Sequence, residues 1–345
     1  MFSVTNDRGF VPQSEQFEGR DMVGEDIKAY KIIHTNDFAY NPARINVGSI
    51  AMYTGEKPCM ISSLYVCFKT TKEVNNEWLM QLLKTPKMNY YYNVNGEGGV
   101  RVYLFYPNFA RIRMSIPKIE EQKKIAKLLN LIDERIATQN KIIEDLKKLK
   151  SAIIEIEYTP NTKTTSHIGN VIEQISKRNK NNAIQNVLSV SNRQGFIKQS
   201  DQFENRNVAS EDTSNYKIVE KNDFAFNPAR INVGSIARLT TFEKGIVSPM
   251  YICFRTQENV APEYIDFFFE SNHFYCEIQK RLEGSVRQCL SFEGLCNIPF
   301  SLPSLEMQER IGKRLFTLGQ KIKTETDLLE LLNKQKQYLL RQMFI

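Results

Sequence analysis

A block of sixteen residues occurs twice in this chain, with a single difference. Residues 36–51 read NDFAYNPARINVGSIA and residues 222–237 read NDFAFNPARINVGSIA, so the copies differ only at Tyr40 and Phe226. The same offset of 186 residues relates positions far outside the block: Gly9 and Gly195, Cys67 and Cys253, Pro117 and Pro303, Gln122 and Gln308. A repeat of this length is too long for a solenoid unit, and it indicates two copies of a whole domain.

Length and composition agree with a globular protein of two domains. The 345 residues fit about two domains of ordinary size. Hydrophobic residues make up 41% of the chain and charged residues 25%, and no apolar run reaches the ~18 residues of a membrane helix. No signal peptide opens the sequence, so we expect a cytoplasmic protein. The net charge of +7 is a modest excess for a nucleic-acid binder, whose usual mark is a strongly basic face.

Motifs for catalysis and metal binding are absent from the sequence. Six cysteines without a C-x-x-C pair and three histidines argue against a zinc site. Neither G-x-x-x-x-G-K-[ST] nor G-x-G-x-x-G occurs. No histidine recurs at the repeat offset, since His34 corresponds to Glu220 and His273 to Lys87. The recurring polar residues are Arg, Asn, Gln and Ser, which bind phosphates and base edges rather than transfer protons.

A long helix is predicted after each copy of the domain. Residues 120–158 contain neither glycine nor proline, and their apolar residues recur at heptad spacing, with Gln139 and Lys150 in polar layers. The predicted seams comprise Ile125, Leu129, Ile132, Ile136, Ile143, Leu146 and Ile153 in the first helix and Ile311, Leu315, Leu318, Ile322, Leu329, Leu332 and Leu339 in the second. Two equal seams in one chain favour an antiparallel helix pair, and homodimerisation through the helices is the alternative.

Strand and turn patterns precede the first long helix. Alternating apolar residues predict a strand over residues 45–50 that carries Gly48, and a single strand over residues 61–69. Residues 77–84 have helical spacing. Each domain is therefore expected to mix strands and helices.

The order of these elements resembles the specificity (S) subunit of type I restriction–modification systems, over nearly the whole chain. In that family each domain enters its helix through a proline, a Glu-Gln pair and an Ile-Leu heptad, as residues 116–125 (IPKIEEQKKI) and 302–311 (LPSLEMQERI) do here. The end of the second helix, QYLLRQMF at residues 337–344, also looks like the family's C-terminal end, and the repeated PARINVGS looks like its recognition-domain core.

The resemblance implies an α+β fold with two repeated mixed α/β target-recognition domains. Two long helices that form an antiparallel coiled coil would separate them. The expected boundaries are 1–117 for the first domain, 118–159 for the central helix, 160–303 for the second domain and 304–345 for the C-terminal helix.

The resemblance also implies a function. Such a subunit reads a bipartite sequence of double-stranded DNA, one half with each domain, while the helices set the spacing and dock the partners. Those partners are two methyltransferase (M) subunits and motor-nuclease (R) subunits. The chain itself would be non-catalytic and hold no cofactor, and S-adenosylmethionine, ATP and Mg would belong to the partners. A coiled-coil scaffold or homodimerisation protein without a DNA role is the alternative, and a stand-alone enzyme is disfavoured by the missing motifs.

One departure from the family pattern concerns the first domain. Met1 corresponds to Val187, so the first half lacks a counterpart of residues 160–186. We therefore expect the first domain to start one strand late, as in an N-terminally truncated reading frame or a rearranged gene.

The candidate DNA contacts are the repeated polar residues and the basic residues of the most divergent stretch. An identical repeat favours contact with the DNA backbone or maintenance of the fold, because the two half-sites usually differ. Divergent residues would read sequence. The candidates are Arg44, Asn46, Ser49, Arg101, Arg230, Asn232, Ser235 and Arg287 from the repeats, and Lys84, Lys87, Lys280 and Arg281 from the divergent stretch.

Overall fold

The chain forms two compact units. A computed structural model describes residues 1–16, 27–99, 102–159, 165–192, 194–202, 212–284 and 288–344. One unit comprises Met1–Asn140 with Asp327–Ile345, and the other comprises Lys141–Thr326. Among the helices of these ranges, none is both long and apolar enough to cross a membrane.

The first unit contains two small sheets. One has four strands in the order β2-β1-β6-β3, in which β1 and β6 run parallel, and the other has three strands in the order β5-β4-β7. The strands are β1 (Phe2–Thr5), β2 (Gly9–Pro12), β3 (Lys31–Ile33), β4 (Phe38–Tyr40), β5 (Ile50–Met52), β6 (Cys59–Ile61) and β7 (Val66–Phe68). The helices are α1 (Gln13–Gln16), α2 (Asn76–Leu83), α3 (Pro86–Asn95), α4 (Tyr106–Ala110) and the start of α5 (Ile119–Tyr158).

The second unit repeats this plan and adds three strands, β8, β9 and β17. Its sheets have the orders β11-β10-β15-β12, β14-β13-β16-β9 and β17-β8. The strands are β8 (Thr165–His167), β9 (Ile172–Ile175), β10 (Val187–Ser191), β11 (Gly195–Lys198), β12 (Lys217–Glu220), β13 (Phe224–Phe226), β14 (Ile236–Arg238), β15 (Lys244–Val247), β16 (Ile252–Thr256) and β17 (Pro299–Ser301). The helices are α6 (Gln199–Gln202), α7 (Pro262–Phe268), α8 (Asn272–Gln279), α9 (Phe292–Cys296) and most of α10 (Leu305–Met343).

Strand β4 shows why the repeated block tolerates so little change. Successive side chains of a strand point to opposite faces. Phe38 and Tyr40 join the cluster that includes α2 and α3, whereas Ala39 joins the cluster of the four-stranded sheet. All three residues are 0% exposed, so this strand is buried on both faces.

Two local predictions were wrong. Residues 45–47 form a 3₁₀ turn instead of a strand. Gly48 ends this turn in the left-handed conformation, with φ 96°, which interrupts an extended chain from residue 45 to residue 50. The predicted strand over 61–69 is divided by a turn into the ends of β6 and β7, which belong to different sheets. The predicted helix over 77–84 is confirmed as α2, and Asn75 caps it by accepting from the Trp78 N–H.

The two long helices run antiparallel, as predicted. In the first unit Leu340 of α10 packs in one cluster with Leu129 of α5. In the second unit Leu315 of α10 packs in one cluster with Ile154 of α5. The early part of each helix therefore meets the late part of the other, and every predicted seam residue is buried or half-buried. This pairing uses the seams within one chain.

Two buried glutamines fasten the helices to their domains. The Gln122 side chain accepts from the Asn75 N–H at 2.7 Å and donates to the Glu73 and Pro117 carbonyls. Gln308 likewise accepts from the Ala261 N–H at 3.0 Å. A glutamine suits this position because its amide supplies both donors and an acceptor.

Candidate nucleic-acid interface

The repeated loop presents Arg44 at the surface of the first domain. Arg44 precedes the 3₁₀ turn Ile45–Val47, and its own carbonyl accepts from the Ser49 N–H at 3.0 Å. The Asn41 side chain accepts from the Ala43 N–H at 3.0 Å and tightens the approach to the turn. The arginine side chain is exposed, and no hydrogen bond or ion pair holds its guanidinium within the described part of the chain.

The second copy of the loop has the same geometry. Arg230 has φ −136° and ψ 8°, against −140° and 9° for Arg44. Gly234 ends the 3₁₀ turn Ile231–Val233 with φ 87°. The Arg230 side chain is exposed, and it too lacks a partner among the described residues. Neither arginine serves to satisfy carbonyls of its turn, so both guanidinium groups remain available to a phosphate or a base edge.

The asparagines of the loop are half-buried beside the arginines. Asn46 donates to the Asn93 side chain at 3.1 Å, across to α3. Asn232 is half-buried as well, and no side-chain bond of this kind holds it among the described residues. The structure brings Asn46 to the edge of a groove that also contains a predicted lysine.

The repeated serines, in contrast, belong to the fold. Ser49 and Ser235 are each 4% exposed. Their hydroxyls donate to the backbone carbonyls of Val4 at 2.7 Å and Val190 at 3.3 Å. Both hydroxyls are thus engaged inside their domains, and the role of the serines as DNA contacts stays a prediction.

Lys84 lies in a groove of about 450 Å³ between the repeated loop and the N-terminus of α3. Desolvation, together with the neighbouring Lys336 ammonium, lowers the pKa of Lys84, although the side chain keeps an exposed surface. Lys87 is exposed on the first turn of α3. Polar lining residues of the groove include Asn6, Asn46, Lys84, Thr85 and Asn89.

The predicted basic pair of the second domain is engaged elsewhere. Lys280 and Arg281 both bind the buried carboxylate of Glu277, each at 2.5 Å. Burial opposes ionisation of Glu277, but the bonds from Lys280 and Arg281 outweigh it and lower its pKa. Arg281 also donates to the Asn297 carbonyl at 3.1 Å. Both charges are therefore paired within the domain, and the role of Lys280 and Arg281 as DNA contacts stays a prediction.

Two predicted arginines lie outside the described residues. These are Arg101 and Arg287, which follow the glycine-containing loops of the two domains. Their role as DNA contacts stays a prediction.

Sequence reasoning missed a basic loop in the second domain. Lys177, Arg178 and Lys180 are exposed and lie between β9 and β10. The Arg178 side chain donates to the Asn215 side chain at 3.0 Å, whereas Lys177 and Lys180 line an open groove. Three basic residues within four positions of the sequence are the signal that could have revealed this loop.

The class of protein follows from this arrangement. The chain contains two copies of an α+β domain. Each copy is followed by a long helix and presents the same exposed arginine loop, which is the architecture of a recognition protein with two similar binding domains. The sequence matches the type I restriction modification DNA specificity domain family (Methylase_S) over residues 25–148 and again over 153–334. The chain belongs to that family and contains two copies of its domain.

Individual relatives agree with this assignment. The chain is 24% identical over 349 residues to a putative type I restriction enzyme MjaX specificity subunit of Methanocaldococcus jannaschii, covering 92% of this chain and 78% of the relative. It is also 24% identical to the MjaVIII specificity subunit of the same organism, covering 89% and 76%. The fold is similar to that of a type I restriction–modification S subunit from M. genitalium, with a TM-score of 0.57, 14% identity and coverage of 91% and 84%.

Proposed function

We propose that this chain is the DNA-reading specificity subunit of a type I restriction–modification complex. Each domain would read one half of a bipartite site, and the antiparallel helices would fix the spacing. The observation that carries the proposal is the repeated loop. In both domains it exposes an arginine in the same backbone geometry, with no partner for its side chain among the described residues.

Contacts to the phosphate backbone would come from the repeated residues, and contacts to base edges would come from the divergent residues. Arg44 and Arg230 are identical in sequence and conformation, which suits a contact that every sequence offers, namely the phosphate. Lys84 of the first groove corresponds to Glu270, which forms an ion pair with Lys150 at 2.6 Å. The groove beside the loop thus differs in charge between the domains, as expected where different base edges are read.

The proposal places the chemistry in partner proteins. The chain would be non-catalytic and work in the cytoplasm. It would recruit two methyltransferase subunits, with S-adenosylmethionine, and motor-nuclease subunits, with ATP and Mg. The long helices, whose outer faces expose Leu131, Ile142, Leu149 and Leu331, are the surfaces where those partners would dock.

Arginine substitutions test the DNA contact directly. Replacing Arg44 and Arg230 by alanine should weaken duplex binding equally for all sequences and reduce the salt slope by about one per arginine. Lysine at the same positions should restore most binding if the contact is a phosphate, and should fail if a bidentate guanine contact is needed. Arg135→Ala, which removes an exposed charge on α5, is the matched control. Loss of binding in the control alone would contradict the proposed interface.

A test in cells addresses the assignment itself. Sequencing of methylated sites should show one bipartite motif that disappears when the gene is deleted and returns with the intact chain. If the motif persists without the gene, this chain is not the specificity subunit.

The role of the helices as a spacer is tested by insertion. One heptad added to each helix lengthens it by ~10.5 Å while roughly preserving its apolar face. At ~3.4 Å per base pair, the unread spacer should widen by about three base pairs with unchanged half-sites. Four residues inserted into one helix only should disturb the pairing and reduce binding. A constant spacer with altered half-sites would refute the role.

A further inference from the structure

The outer edge of β7 in the first domain has no strand beside it among the described residues. In the second domain the same edge, on β16, pairs antiparallel with β9, and Arg255 stands opposite Glu173. The consequence is seen in burial. Cys253 and Phe254 are 0% exposed, whereas their counterparts Cys67 and Phe68 are only half-buried.

A second surface is uncovered next to that edge. In the second domain the 3₁₀ turn Ile168–Asn170 packs on α9, where a side chain at Gly169 would come within 2.8 Å of Cys296. In the first domain the corresponding helix, α4, leaves Tyr106 52% exposed.

A third difference lies just before the long helix. Strand β17 pairs with β8 in the second domain, but the corresponding residues 113–115 form no strand. Ile116, which follows them, is 52% exposed. The open strand edge, the face of α4 and residues 113–116 all correspond to surfaces that residues 165–175 cover in the second domain.

We propose that the β7 edge and α4 face of the first domain bind an extended segment of another polypeptide, with the pattern of residues 165–175. That pattern places apolar side chains at the positions of Ile168, Val171 and Ile172, which are at most 5% exposed in the second domain. It places an acidic side chain at the position of Glu173, opposite Lys69. Lys69 replaces Arg255 and is 71% exposed, so the charges are complementary.

The structure also argues against a second copy of this chain as the occupant. Its own segment is already buried in the second domain, with Ile168 at 0% and Val171 at 1% exposure. A second copy would have to release that segment and expose the apolar core beneath it. A separate polypeptide adds its strand without such a loss, in the way that extended peptides join open sheet edges elsewhere.

The test uses the full chain and a fluorescent peptide of residues 165–178. Anisotropy should show saturable binding with one peptide per chain, and a peptide with Ile168→Asp and Ile172→Asp should bind at least about tenfold more weakly. Amide exchange should slow at residues 66–70 and 113–116 and stay unchanged at 252–256. Absence of saturable binding, or protection at 252–256 instead, would overturn the proposal.

A charge swap and a mass measurement complete the test. Lys69→Glu should weaken binding by about threefold to tenfold, and a peptide carrying Glu173→Lys should restore it. Lys69 is 71% exposed but lies 3.6 Å from the Asp37 carboxylate, so Lys69→Gln, which removes that ion pair without adding a negative charge, is the control for an effect on folding. Light scattering of the chain alone should give a monomer. A dimer that dissociates when the peptide is added would show that a second copy occupies the edge, contrary to the proposal.

Discussion

Phe68 and Phe254 occupy the same position in the two domains, yet Phe254 is fully buried and Phe68 is half-buried. Both rings stack on the same neighbour of β4 or β13, Phe38 at 5.0 Å and Phe224 at 5.1 Å. The residue and its nearest partner are therefore the same. What differs is the next strand of the sheet, since β9 covers β16 and no described strand covers β7.

The cysteines beside these rings, Cys67 and Cys253, show the same difference in burial, and it affects their thiol chemistry. Burial raises the pKa of the Cys253 thiol to about 12, and it also raises the pKa of Cys67. The half-buried Cys67 should accordingly react with a thiol reagent before the fully buried Cys253 does. Identical residues thus acquire different properties from a neighbour outside the repeat.

The largest expected effect comes from removing these rings. Phe254→Ala should cost about 3–5 kcal/mol of unfolding free energy, because it leaves a cavity in a closed core. Phe68→Ala should cost roughly half as much, because its ring is already partly hydrated. Urea unfolding measures both, with Trp78, the chain's one tryptophan, as the fluorescent probe of the first unit and circular dichroism for the whole chain. Equal losses would mean that the edge of β7 is covered.

A second contrast lies between β14 and α7. Arg238, whose side chain is 7% exposed, donates to Asp266 at 3.2 Å and also binds Glu263. At the corresponding positions the first domain has Met52 and Met80, both packed against its core. One copy of the domain thus holds an ion pair where the other holds two thioethers.

The exchange of that pair is the next prediction. Arg238→Met should cost about 2–4 kcal/mol, because it leaves the Asp266 carboxylate desolvated and without its cation. The double change Arg238→Met and Asp266→Met should cost less than about 1 kcal/mol, since the first domain already shows that two methionines fit. A double-mutant cycle in urea separates the terms. A double variant as unstable as the single one would show that the two domains pack differently here.

A smaller effect should appear as pH dependence in the second domain. Burial raises the pKa of Asp266 to about 6 despite the Arg238 charge, from an ordinary value of 3.8. Between about pH 4 and pH 6 the folded state therefore keeps a proton that the unfolded chain releases, and the unfolding free energy falls as pH rises. Because 32% of the side chain is exposed, we expect a contribution on the order of 1–2 kcal/mol, level above about pH 6.

The double methionine variant is the control for that measurement. Other carboxylates titrate in the same range, so the informative quantity is the difference in unfolding free energy between the two proteins at each pH. A difference that does not change from about pH 4 to pH 7 would mean that Asp266 has an ordinary pKa.

The repeat is visible in the sequence itself, and the two long helices were predicted correctly from their heptad spacing. Leu129 and Leu315 fall on a heptad, and a helix that buries one stripe must show that period. The groove with Asn46 and Lys84 was not predictable, because it exists only once α3 has packed beside the loop. The burial of Ser49 was not predictable either, because a repeat shows which residues recur but not which of them are buried.

Charge was the least reliable guide to the site. Lys280 and Arg281 look like surface cations in the sequence, yet Glu277, one helical turn earlier, binds both. Spacings of three and four residues on a helix could have revealed that link. The change from Met52 and Met80 to Arg238 and Asp266 was also readable, because two positions in contact changed together between the repeats.

The one difference inside the repeated block gives the smallest prediction. Tyr40 is 0% exposed, and its hydroxyl has no hydrogen-bond partner among the described residues. Burial, with a contribution from Tyr106, raises the pKa of Tyr40, so the hydroxyl stays protonated and must be buried as a donor without an acceptor. Phe226 fills the same position in the second domain without that group.

Tyr40→Phe should therefore stabilise the first unit by about 0.5–1 kcal/mol, because it removes an unsatisfied polar group and keeps the ring. The reverse change, Phe226→Tyr, should destabilise the second unit by about 1 kcal/mol or more, since the hydroxyl enters a packed core. Trp78 fluorescence in urea reports the first change, and amide exchange of β13 reports the second. If Tyr40→Phe lowers the unfolding free energy instead, the hydroxyl has an acceptor such as an ordered water, and the two copies of the block differ in hydration rather than in packing.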